Sequence, residues 1–448
     1  MAPTNAVTFK VTRQNPELIP PAKPTPHEFK PLSDIDDQDG LRFQLPVIQF
    51  YRKNPTMDGK DPVKVIRDAV ARALVFYYPF AGRLREMAGR KMVVECTGEG
   101  ILFIEADADA TLQQFGDTLQ PPFPCLEELL YDVPGSGGVT RLKCGGFIFA
   151  LRFNHTMCDG FGLVQFMSAV AELARGAEIP SVPPVWKREL LSARDQPHVS
   201  CTHLEYDDIL DTNETPIPPD NLVQNNIFFW STEISTLRRR LSPHLRRCTT
   251  FELLTACIWR CRTIAICPDP NQEVRIIFPA NGRRLSNPPL PTGYYGNAFA
   301  LPVAIATARN LCKQPLDFAL ELMIKTKSKV TEEYIKSVAD LMVLRGRPHY
   351  TVAQTFIVSD VTHLGIGDVD YGWGKAAYGG PEDVAHGHMS YYIPVNNNKG
   401  ERGIMVPVRL PANGMEVFVK EFEIMVKRDD TMMTSTRESS IFLDHAKL

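Results

Sequence analysis

The chain has 448 residues, more than a single hydrophobic core usually serves, so we expect two domains of roughly 200 residues each. Its 49 basic and 52 acidic residues give a formal net charge of −3, which excludes the positive excess typical of proteins that bind nucleic acids or anionic membranes. The longest apolar run, residues 73–81, is shorter than the ~18 residues of a membrane-spanning helix, and residues 1–17 lack the apolar core of a signal peptide. We therefore expect a cytoplasmic protein without membrane segments. The ten cysteines form no CxxC pattern, which fits a reducing compartment.

The first half of the chain predicts a mixture of strands and helices. Alternating apolar residues over positions 7–11 predict a strand. Asp61 and Pro62 supply an N-cap and a first-turn proline for the helix that follows them. Residues 92–94 and 101–104 are apolar runs on either side of a short turn, so we expect them to pair as a β-hairpin.

A further strand and helix enclose the motif His155-x-x-x-Asp159. The strand is predicted over residues 147–153, and the helix begins near Gly160 with apolar residues at helical spacing. The motif thus occupies a tight loop between a buried strand and an apolar helix. Loops held by such rigid elements often carry functional residues.

A polar, proline-rich stretch over residues 180–225 predicts a crossover between two domains, one over residues 1–195 and the other over residues 226–448. In the second domain, Thr249 and Glu252 form a capping-box pattern at the start of a helix. Periodicity predicts strands over residues 274–278, 298–304, 355–358, 389–395 and 404–410, and helical patterns over residues 316–344 and 415–426.

The residue types of the motif indicate acid–base chemistry. A histidine with a pKa near neutrality is able to take a proton from a hydroxyl group, while a carboxylate such as Asp159 fixes its surroundings. The spacing alone is weak support, because His203-x-x-x-Asp207 in the polar crossover repeats it. His155 is equally compatible with a hydrogen-bonded histidine of the core, and Asp159 with the N-cap of the following helix.

Two motifs together carry a resemblance to the BAHD acyltransferases, plant enzymes that use acyl-CoA donors. The first is Asn154-His155-Thr156-Met157-Cys158-Asp159-Gly160. The second is Asp370-Tyr371-Gly372-Trp373-Gly374-Lys375, which is similar to the Asp-Phe-Gly-Trp-Gly signature of that family. Further segments resemble the branch of benzyl alcohol O-benzoyltransferases and alcohol acyltransferases, at residues 21–26, 32–38, 78–85 and 293–299.

The resemblance implies a fold of two α/β domains similar to chloramphenicol acetyltransferase, with mixed sheets and an active-site tunnel at the domain interface. It implies transfer of a benzoyl or similar acyl group from acyl-CoA to the hydroxyl of a small alcohol or specialised metabolite, giving an ester and free CoA. Acyl-CoA is then a co-substrate, with no permanently bound cofactor and no metal, and the enzyme acts as a monomer. In this scheme His155 is the general base, and Asp159 turns away from the substrate to pair with Arg283.

The resemblance also implies supporting residues. Asp370, Gly372, Trp373 and Gly374 give the protein its shape at a distance from the reacting atoms, while Gly160, Gly162, Ser390 and Tyr391 are candidates for substrate binding.

The chain departs from the family directly after Gly138. Relatives place an apolar strand between the Pro-Gly-Ser-Gly-Gly turn and the segment that begins near Thr140, whereas Val139 follows Gly138 here. We expect the strand next to residues 147–153 to be shortened or absent, which leaves backbone groups unpaired and costs stability. The alternative function is therefore a catalytically impaired family member that acts as a ligand-binding protein.

The last three residues bear on localisation. Ala446-Lys447-Leu448 differs from the peroxisomal signal Ser-Lys-Leu by one hydroxyl group, so a peroxisomal address is the alternative to the cytoplasm.

Overall fold

The computed structural model describes residues 9–116, 119–131, 133–207, 221–382, 385–386, 388–397 and 399–427. Its strands are β1 (Val11–Arg13), β2 (Glu17–Ile19), β3 (Phe29–Pro31), β4 (Gln44–Tyr51), β5 (Arg83–Glu86), β6 (Met92–Glu95), β7 (Ile101–Ala108), β8 (Ser136–Leu142), β9 (Phe147–Asn154), β10 (Leu222–Phe229), β11 (Glu273–Ile277), β12 (Ala280–Asn281), β13 (Phe299–Ala300), β14 (Val303–Thr307), β15 (Thr355–Asp360), β16 (Tyr378–Pro381), β17 (Ala385–His386), β18 (Met389–Asn396) and β19 (Arg402–Pro411). Its helices are α1 (Pro62–Phe76), α2 (Leu126–Leu129), α3 (Gly160–Ala174), α4 (Ser231–Arg240), α5 (Thr250–Ile266), α6 (Ala308–Lys313), α7 (Leu316–Ser328), α8 (Glu332–Leu344) and α9 (Ala412–Val426).

Strands from the first half of the chain build one large mixed sheet. Its order is β1-β7-β8-β9-β4-β16, and β2 also pairs with β7. β8 runs parallel to β7 and antiparallel to β9. The last strand, β16, comes from the second half of the chain and pairs antiparallel with β4, with Tyr378 opposite Phe50 and Pro381 opposite Val47. The two halves of the chain therefore share this sheet.

The second half builds another large mixed sheet of order β10-β19-β18-β15-β11-β14, with β17 paired to β18. β15 runs parallel to both β11 and β18. Helix α5 packs in the core of this half, where Leu253, Leu254 and Trp259 are buried. With two sheet-rich parts and helices packed on them, the fold is mixed α/β, which confirms the predicted fold class.

Helices α1 and α3 pack against each other in the core of the first half. The start of α1 is as the sequence predicts, because the Asp61 side chain accepts a hydrogen bond from the Val63 N–H at 3.2 Å and Pro62 occupies the first turn. Its apolar stripe, which includes Ile66 and Val70, is buried. α3 follows the His155 loop directly, so the packing of α1 and α3 also positions that loop.

The strand next to β9, predicted to be shortened or absent, is present as the seven-residue β8, which corrects the expectation of its absence. β8 begins at Ser136, and Gly137 and Gly138 pair with Leu151 and Ala150. Of the residues read as a turn, Pro134 and Gly135 form one, whereas Ser136, Gly137 and Gly138 are extended and pair with β7. A Cβ at Gly138 would lie 2.6 Å from the Tyr131 ring, so glycine suits this position in the strand. The argument for a catalytically impaired protein therefore loses its structural basis.

The predicted hairpin of residues 92–94 and 101–104 is wrong, although both runs form strands. β6 lies in a three-stranded sheet of order β3-β6-β5, whereas β7 joins the first large sheet. Gly100 lies between them with a φ of +95°, and a Cβ there would lie 2.0 Å from the Ile19 carbonyl oxygen. An apolar run indicates a strand, but the partner of that strand depends on residues far away in the sequence.

Two predicted elements are each divided in the structure. The helical pattern over residues 316–344 forms α7 and α8, because Thr331 caps a new helix by accepting from the Tyr334 N–H at 3.2 Å. The predicted strand over residues 298–304 forms β13 and β14, which are separated at Pro302. A proline has no N–H for the ladder, so the pairing is interrupted there.

The predicted crossover is described as far as residue 207 and again from residue 221. Residues 208–220 and the terminal Ala446-Lys447-Leu448 lie outside the described residues, so the domain boundary and the peroxisomal address stay predictions. Within the described ranges, no helix is long and apolar enough to cross a membrane.

Candidate active site

His155 lies directly after β9, in the loop that leads to α3. Its backbone N–H donates to the carbonyl oxygen of Phe43 at 2.9 Å. Asn154 shapes the loop, because its side-chain oxygen accepts from the backbone N–H and the hydroxyl of Thr156 at 3.1 and 2.7 Å. The backbone on both sides of His155 is therefore fixed by hydrogen bonds.

Asn297 fixes the tautomer of the His155 ring. Its Nδ2 donates to Asp36 Oδ1 at 2.9 Å and to the carbonyl oxygen of His155 at 2.8 Å. A carboxylate and a carbonyl only accept hydrogen bonds, so the orientation of the amide leaves Asn297 Oδ1 at 3.1 Å from His155 Nδ1. In the neutral ring, Nδ1 therefore carries the hydrogen and Nε2 holds the lone pair.

A buried ion pair holds Asn297 in turn. Asp36 Oδ1 accepts from Arg188 Nη1 at 2.7 Å and from the Asn297 backbone N–H at 2.8 Å. The other carboxylate oxygen accepts from the backbone N–H and the hydroxyl of Ser33 at 3.1 and 2.6 Å. Both charged side chains are almost completely buried, so the pair has little freedom to rearrange.

The surroundings of the His155 ring favour its neutral form. Phe43, Phe153 and Phe299 lie around it, with ring centroids at 5.4, 6.1 and 6.2 Å from that of His155. Burial lowers the pKa of His155 below its ordinary value of 6.5, and hydrogen bonds together with the charge of Asp159 offset part of this effect. A neutral imidazole at neutral pH is the form that a general base requires.

Asp159 is bound by groups other than the His155 ring. Arg283 donates from Nη1 and Nη2 to the two carboxylate oxygens, both at 2.7 Å. The backbone N–H groups of Gly162 and Ala298 donate to the same carboxylate at 3.0 and 3.2 Å, and the Gly162 contact makes Asp159 the N-cap of α3. Asp159 therefore links the His155 loop to Arg283 from the second half of the chain.

A cavity of about 570 Å³ lies at His155. Among the predicted site residues, its walls include His155, Asp159, Gly160, Arg283 and Tyr391. A larger cavity of about 1150 Å³ shares three lining residues with it, Val361, His363 and Ile366. The two cavities therefore have these residues in common, and residues from both halves of the chain line the cavity at His155.

Two predicted substrate-binding residues do not line the cavity at His155. A Cβ at Gly162 would lie 2.0 Å from the carbonyl oxygen of Tyr295, so close packing accounts for this glycine. Ser390 is buried on β18, while its neighbour Tyr391 lines the cavity. Successive residues of a strand point to opposite faces, which explains the difference.

The Asp370–Gly374 segment forms a packed turn away from this cavity. Asp370 Oδ1 accepts from the backbone N–H groups of Gly372 and Gly374, both at 2.7 Å. Gly372 and Gly374 have φ angles of 113° and 88°, which favour glycine. Trp373 packs edge-on against Phe147 of β9 at a centroid distance of 5.2 Å. The segment therefore attaches the second half of the chain to the first core.

Three polar residues of the site received no role from the sequence: Asn297, Asp36 and Arg188. Asn297 and Asp36 fall within segments that carry the resemblance, residues 293–299 and 32–38. A polar side chain within such an apolar segment is the signal that could have found Asn297. Arg188 belongs to the crossover, where nothing in the local pattern distinguishes it.

Comparison with known proteins decides the family. A model of the Transferase family matches residues 9–425. The chain belongs to this family, the BAHD acyltransferases. This BAHD enzyme is 64% identical to the benzyl alcohol O-benzoyltransferase of Nicotiana tabacum over 440 residues, covering 95% of this chain and 96% of the relative. It is 53% identical to the (Z)-3-hexen-1-ol acetyltransferase of Arabidopsis thaliana, covering 93% and 95% of the two chains.

A relative that acts on an alkaloid and one solved structure are also similar to the BAHD enzyme. The 13-hydroxylupanine O-tigloyltransferase of Lupinus albus is 52% identical, covering 96% of this chain and 98% of the relative. Vinorine synthase has a TM-score of 0.69 at 20% identity, covering 91% of this chain and 96% of that one, which supports the fold. The BAHD enzyme is thus an O-acyltransferase, and the resemblance drawn from the two motifs is confirmed.

The tobacco alignment also supports a deletion in the BAHD enzyme. Its 440 positions cover only 95% of the 448 residues, so some positions of the tobacco enzyme have no counterpart here. The position of the missing segment after Gly138 stays a prediction.

Proposed function

We propose that the enzyme transfers a benzoyl or related acyl group from acyl-CoA to the hydroxyl of a small primary alcohol such as benzyl alcohol. The ester and free CoA are the products. The 64% identity to the tobacco benzyl alcohol O-benzoyltransferase supports this donor and acceptor. The observation that carries the proposal is the His155–Asn297 contact, which leaves the Nε2 lone pair of a neutral imidazole for a substrate hydroxyl.

In this proposal His155 moves one proton in each direction. Nε2 takes the proton of the alcohol as the alcohol oxygen attacks the thioester carbonyl carbon and forms the new C–O bond. The tetrahedral intermediate then collapses, the C–S bond breaks, and the CoA thiolate leaves. Nε2 returns its proton to the sulfur, so no acyl-enzyme forms and the ring ends in its initial state.

Asn297 and Asp159 act on this step through position. Asn297 Oδ1 accepts from His155 Nδ1, so the imidazolium that forms keeps its orientation and a hydrogen-bond partner. Asp159 holds the start of α3 and binds Arg283, which keeps the two walls of the cavity at a fixed separation. Holding the thioester and the hydroxyl in reactive geometry lowers the activation free energy by several kcal/mol, roughly as much as the proton transfer itself does.

We propose that the two cavities receive different substrates. The cavity at His155 has an aromatic lining that suits a benzoyl ring or an alkyl alcohol, and the larger cavity meets it at Val361, His363 and Ile366. If acyl-CoA enters from one side and the alcohol from the other, both substrates reach His155 and neither blocks the entry of the other. Gly160 and Tyr391 belong to the walls of the same cavity and are candidates for substrate contact.

We also propose that the enzyme acts as a cytoplasmic monomer. One chain supplies all the groups that surround His155, including Asn297 and Arg283 from the second half. The ten cysteines all lie in the described ranges, where none is joined in a disulfide, and this suits a reducing compartment. Size-exclusion chromatography with light scattering tests the oligomeric state.

Product analysis tests the proposed function. Purified enzyme is incubated with benzoyl-CoA, acetyl-CoA or tigloyl-CoA and with benzyl alcohol, (Z)-3-hexen-1-ol or a hydroxylated quinolizidine, and esters are identified by mass spectrometry. We expect benzyl benzoate as the main product and its loss in His155→Ala. Ester formation that persists in His155→Ala, or CoA release without an alcohol, would contradict the proposal.

A further inference from the structure

A second apolar cavity lies in the first half of the chain, next to the start of β8. Its volume is about 440 Å³, and we call it the β8 chamber. Its walls include the apolar side chains of Val70, Phe103, Phe149, Leu151, Met157 and Leu163. Protein interiors hold few voids larger than a water molecule, and ~300–1000 Å³ is the usual size of a ligand pocket.

The strand register explains where the β8 chamber comes from. β8 begins at Ser136, and its first pair with β9 is Gly137 opposite Leu151. β9 continues to Asn154, and its last residues stay paired with β4 on the other side, up to Asn154 opposite Gln44. β7 also begins near this level, at Ile101, so the end of β9 has no strand on its β8 side, and the chamber lies there.

Gly137 leaves the chamber unfilled. A Cβ built there would have its nearest neighbours at 3.8 and 3.9 Å, so a larger side chain meets no obstacle at its first atom. The neighbours include Leu151 and the Phe149 ring, which line the chamber, so the new side chain would enter it. The contrast with Gly138, where a Cβ would meet Tyr131 at 2.6 Å, shows that glycine at position 137 is not required by packing.

The β8 chamber adjoins the active site. Asn154, Met157 and Cys158, from the loop that holds His155, form part of its wall. Leu163, in the first turns of α3, borders both the chamber and the cavity at His155. Leu163 is thus buried between the two cavities. At about 440 Å³ the chamber is larger than the ~150 Å³ that a benzene molecule needs.

We propose that the β8 chamber takes the aliphatic chain of a medium-chain acyl donor whose thioester lies at His155, with the chain passing beside Leu163. The inference rests on the proposed acyl transfer and extends its donor range. A linear alkyl chain suits the site because it is narrow enough to pass one side chain and buries methylene groups against the apolar walls, each worth about a factor of four in affinity. The chemistry at the thioester is unchanged.

A size series at Gly137 tests the proposal in the full chain. Initial rates with decanoyl-CoA and benzoyl-CoA, each with benzyl alcohol, give a ratio of kcat/KM values for wild type, Gly137→Ala and Gly137→Leu. We expect wild type to use decanoyl-CoA, and Gly137→Leu to lower the decanoyl-to-benzoyl ratio roughly tenfold, the effect of about two lost methylene contacts. Gly137→Ala adds one methyl group and is expected to change the ratio much less.

The outcomes separate the two hypotheses. Thermal melting shows whether each variant folds, and Gly137→Val replaces Gly137→Leu if the larger side chain prevents folding. A ratio that is equal in wild type and the filled variant would overturn the chamber as an acyl site, and so would transfer from benzoyl-CoA without any from decanoyl-CoA. In both cases the proposed function would stand. Absence of ester from every donor would overturn both.

Discussion

The side-chain oxygen of Asn297 lies 3.1 Å from Nδ1 of His155, although 142 residues separate them in the sequence. Asp36 orients the amide by accepting from its Nδ2, so the oxygen faces the ring. A histidine with this tautomer presents the lone pair of Nε2, as a general base must. Asn297 is therefore a positioning residue for the proton transfer.

Replacing Asn297 with alanine should impair catalysis more than substrate binding. Without the acceptor at Nδ1 the ring is free to rotate and to change tautomer, and the imidazolium loses a partner, so we expect kcat to fall by about 10²-fold with a smaller change in KM. Nitrogen-15 NMR of the histidine side chains should show a mixture of tautomers at His155 in the variant. An unchanged tautomer and an unchanged pH profile would contradict a positioning role.

Removing the general base itself should have a larger effect. We expect His155→Ala to lower kcat by about 10² to 10⁴-fold while CoA still binds, since proton transfer contributes a factor of that size. His349→Ala is the matched control, because His349 is exposed and outside the cavities at the site. The amount of ester in quenched reactions gives kcat, and calorimetric titration with CoA gives its binding affinity. Comparable losses in both variants would exclude a specific role for His155.

The pH dependence of the reaction should reflect the lowered pKa of His155. The base is active when neutral, and burial shifts its pKa below 6.5, so kcat/KM should fall with decreasing pH along an acidic limb centred below pH 6.5. The folded state should also lose stability below about pH 6.5, because the unfolded histidine binds a proton first. Initial rates measure kcat/KM, and urea unfolding measures the free energy of unfolding, each over a range of about pH 4.5 to 8. An acidic limb centred at or above pH 6.5 would contradict the desolvation of the ring.

Local sequence patterns predicted the elements that depend on neighbouring residues. Asp61 and Pro62 mark the start of α1 because cap and first turn are adjacent in the chain. The His155 loop likewise lies between a strand and a helix that each show their own period. For these elements, residues that are close together in the chain are enough to predict the local structure.

Contacts between distant segments could not be predicted in this way. β6 and β7 are neighbours in the sequence but lie in different sheets, and β16 crosses to the sheet of the first half. The contact between Asn297 and His155 likewise joins distant segments, and it depends on Asp36, which accepts from the amide of Asn297. Family motifs named the segments involved, but only the three-dimensional packing identifies which atoms meet.

The Asp159–Arg283 pair should contribute to stability as a coupled unit. Removal of Arg283 leaves a buried carboxylate with only two backbone N–H donors, so we expect Arg283→Ala to cost about 3 kcal/mol of unfolding free energy. Arg283→Lys should recover only part of this, because an ammonium group does not donate to both oxygens in parallel. Urea unfolding of Asp159→Ala, Arg283→Ala and the double variant measures the coupling. Costs that simply add would show that the two side chains act independently.

Trp373 should matter for stability and not for the chemical step. Its ring is 7% exposed and packs against Phe147 of β9, away from the cavity at His155, so Trp373→Ala should cost about 3 to 5 kcal/mol as a large buried side chain is lost. The folded fraction of the variant should keep its kcat, because no group at His155 changes. Tyr371→Phe is the matched control, since it removes only a hydroxyl that donates to Gln49 at 3.2 Å and keeps the packing. Thermal melting and active-site titration measure the two properties. A kcat per folded molecule that falls with Trp373→Ala as steeply as with His155→Ala would instead place this turn in the catalytic machinery.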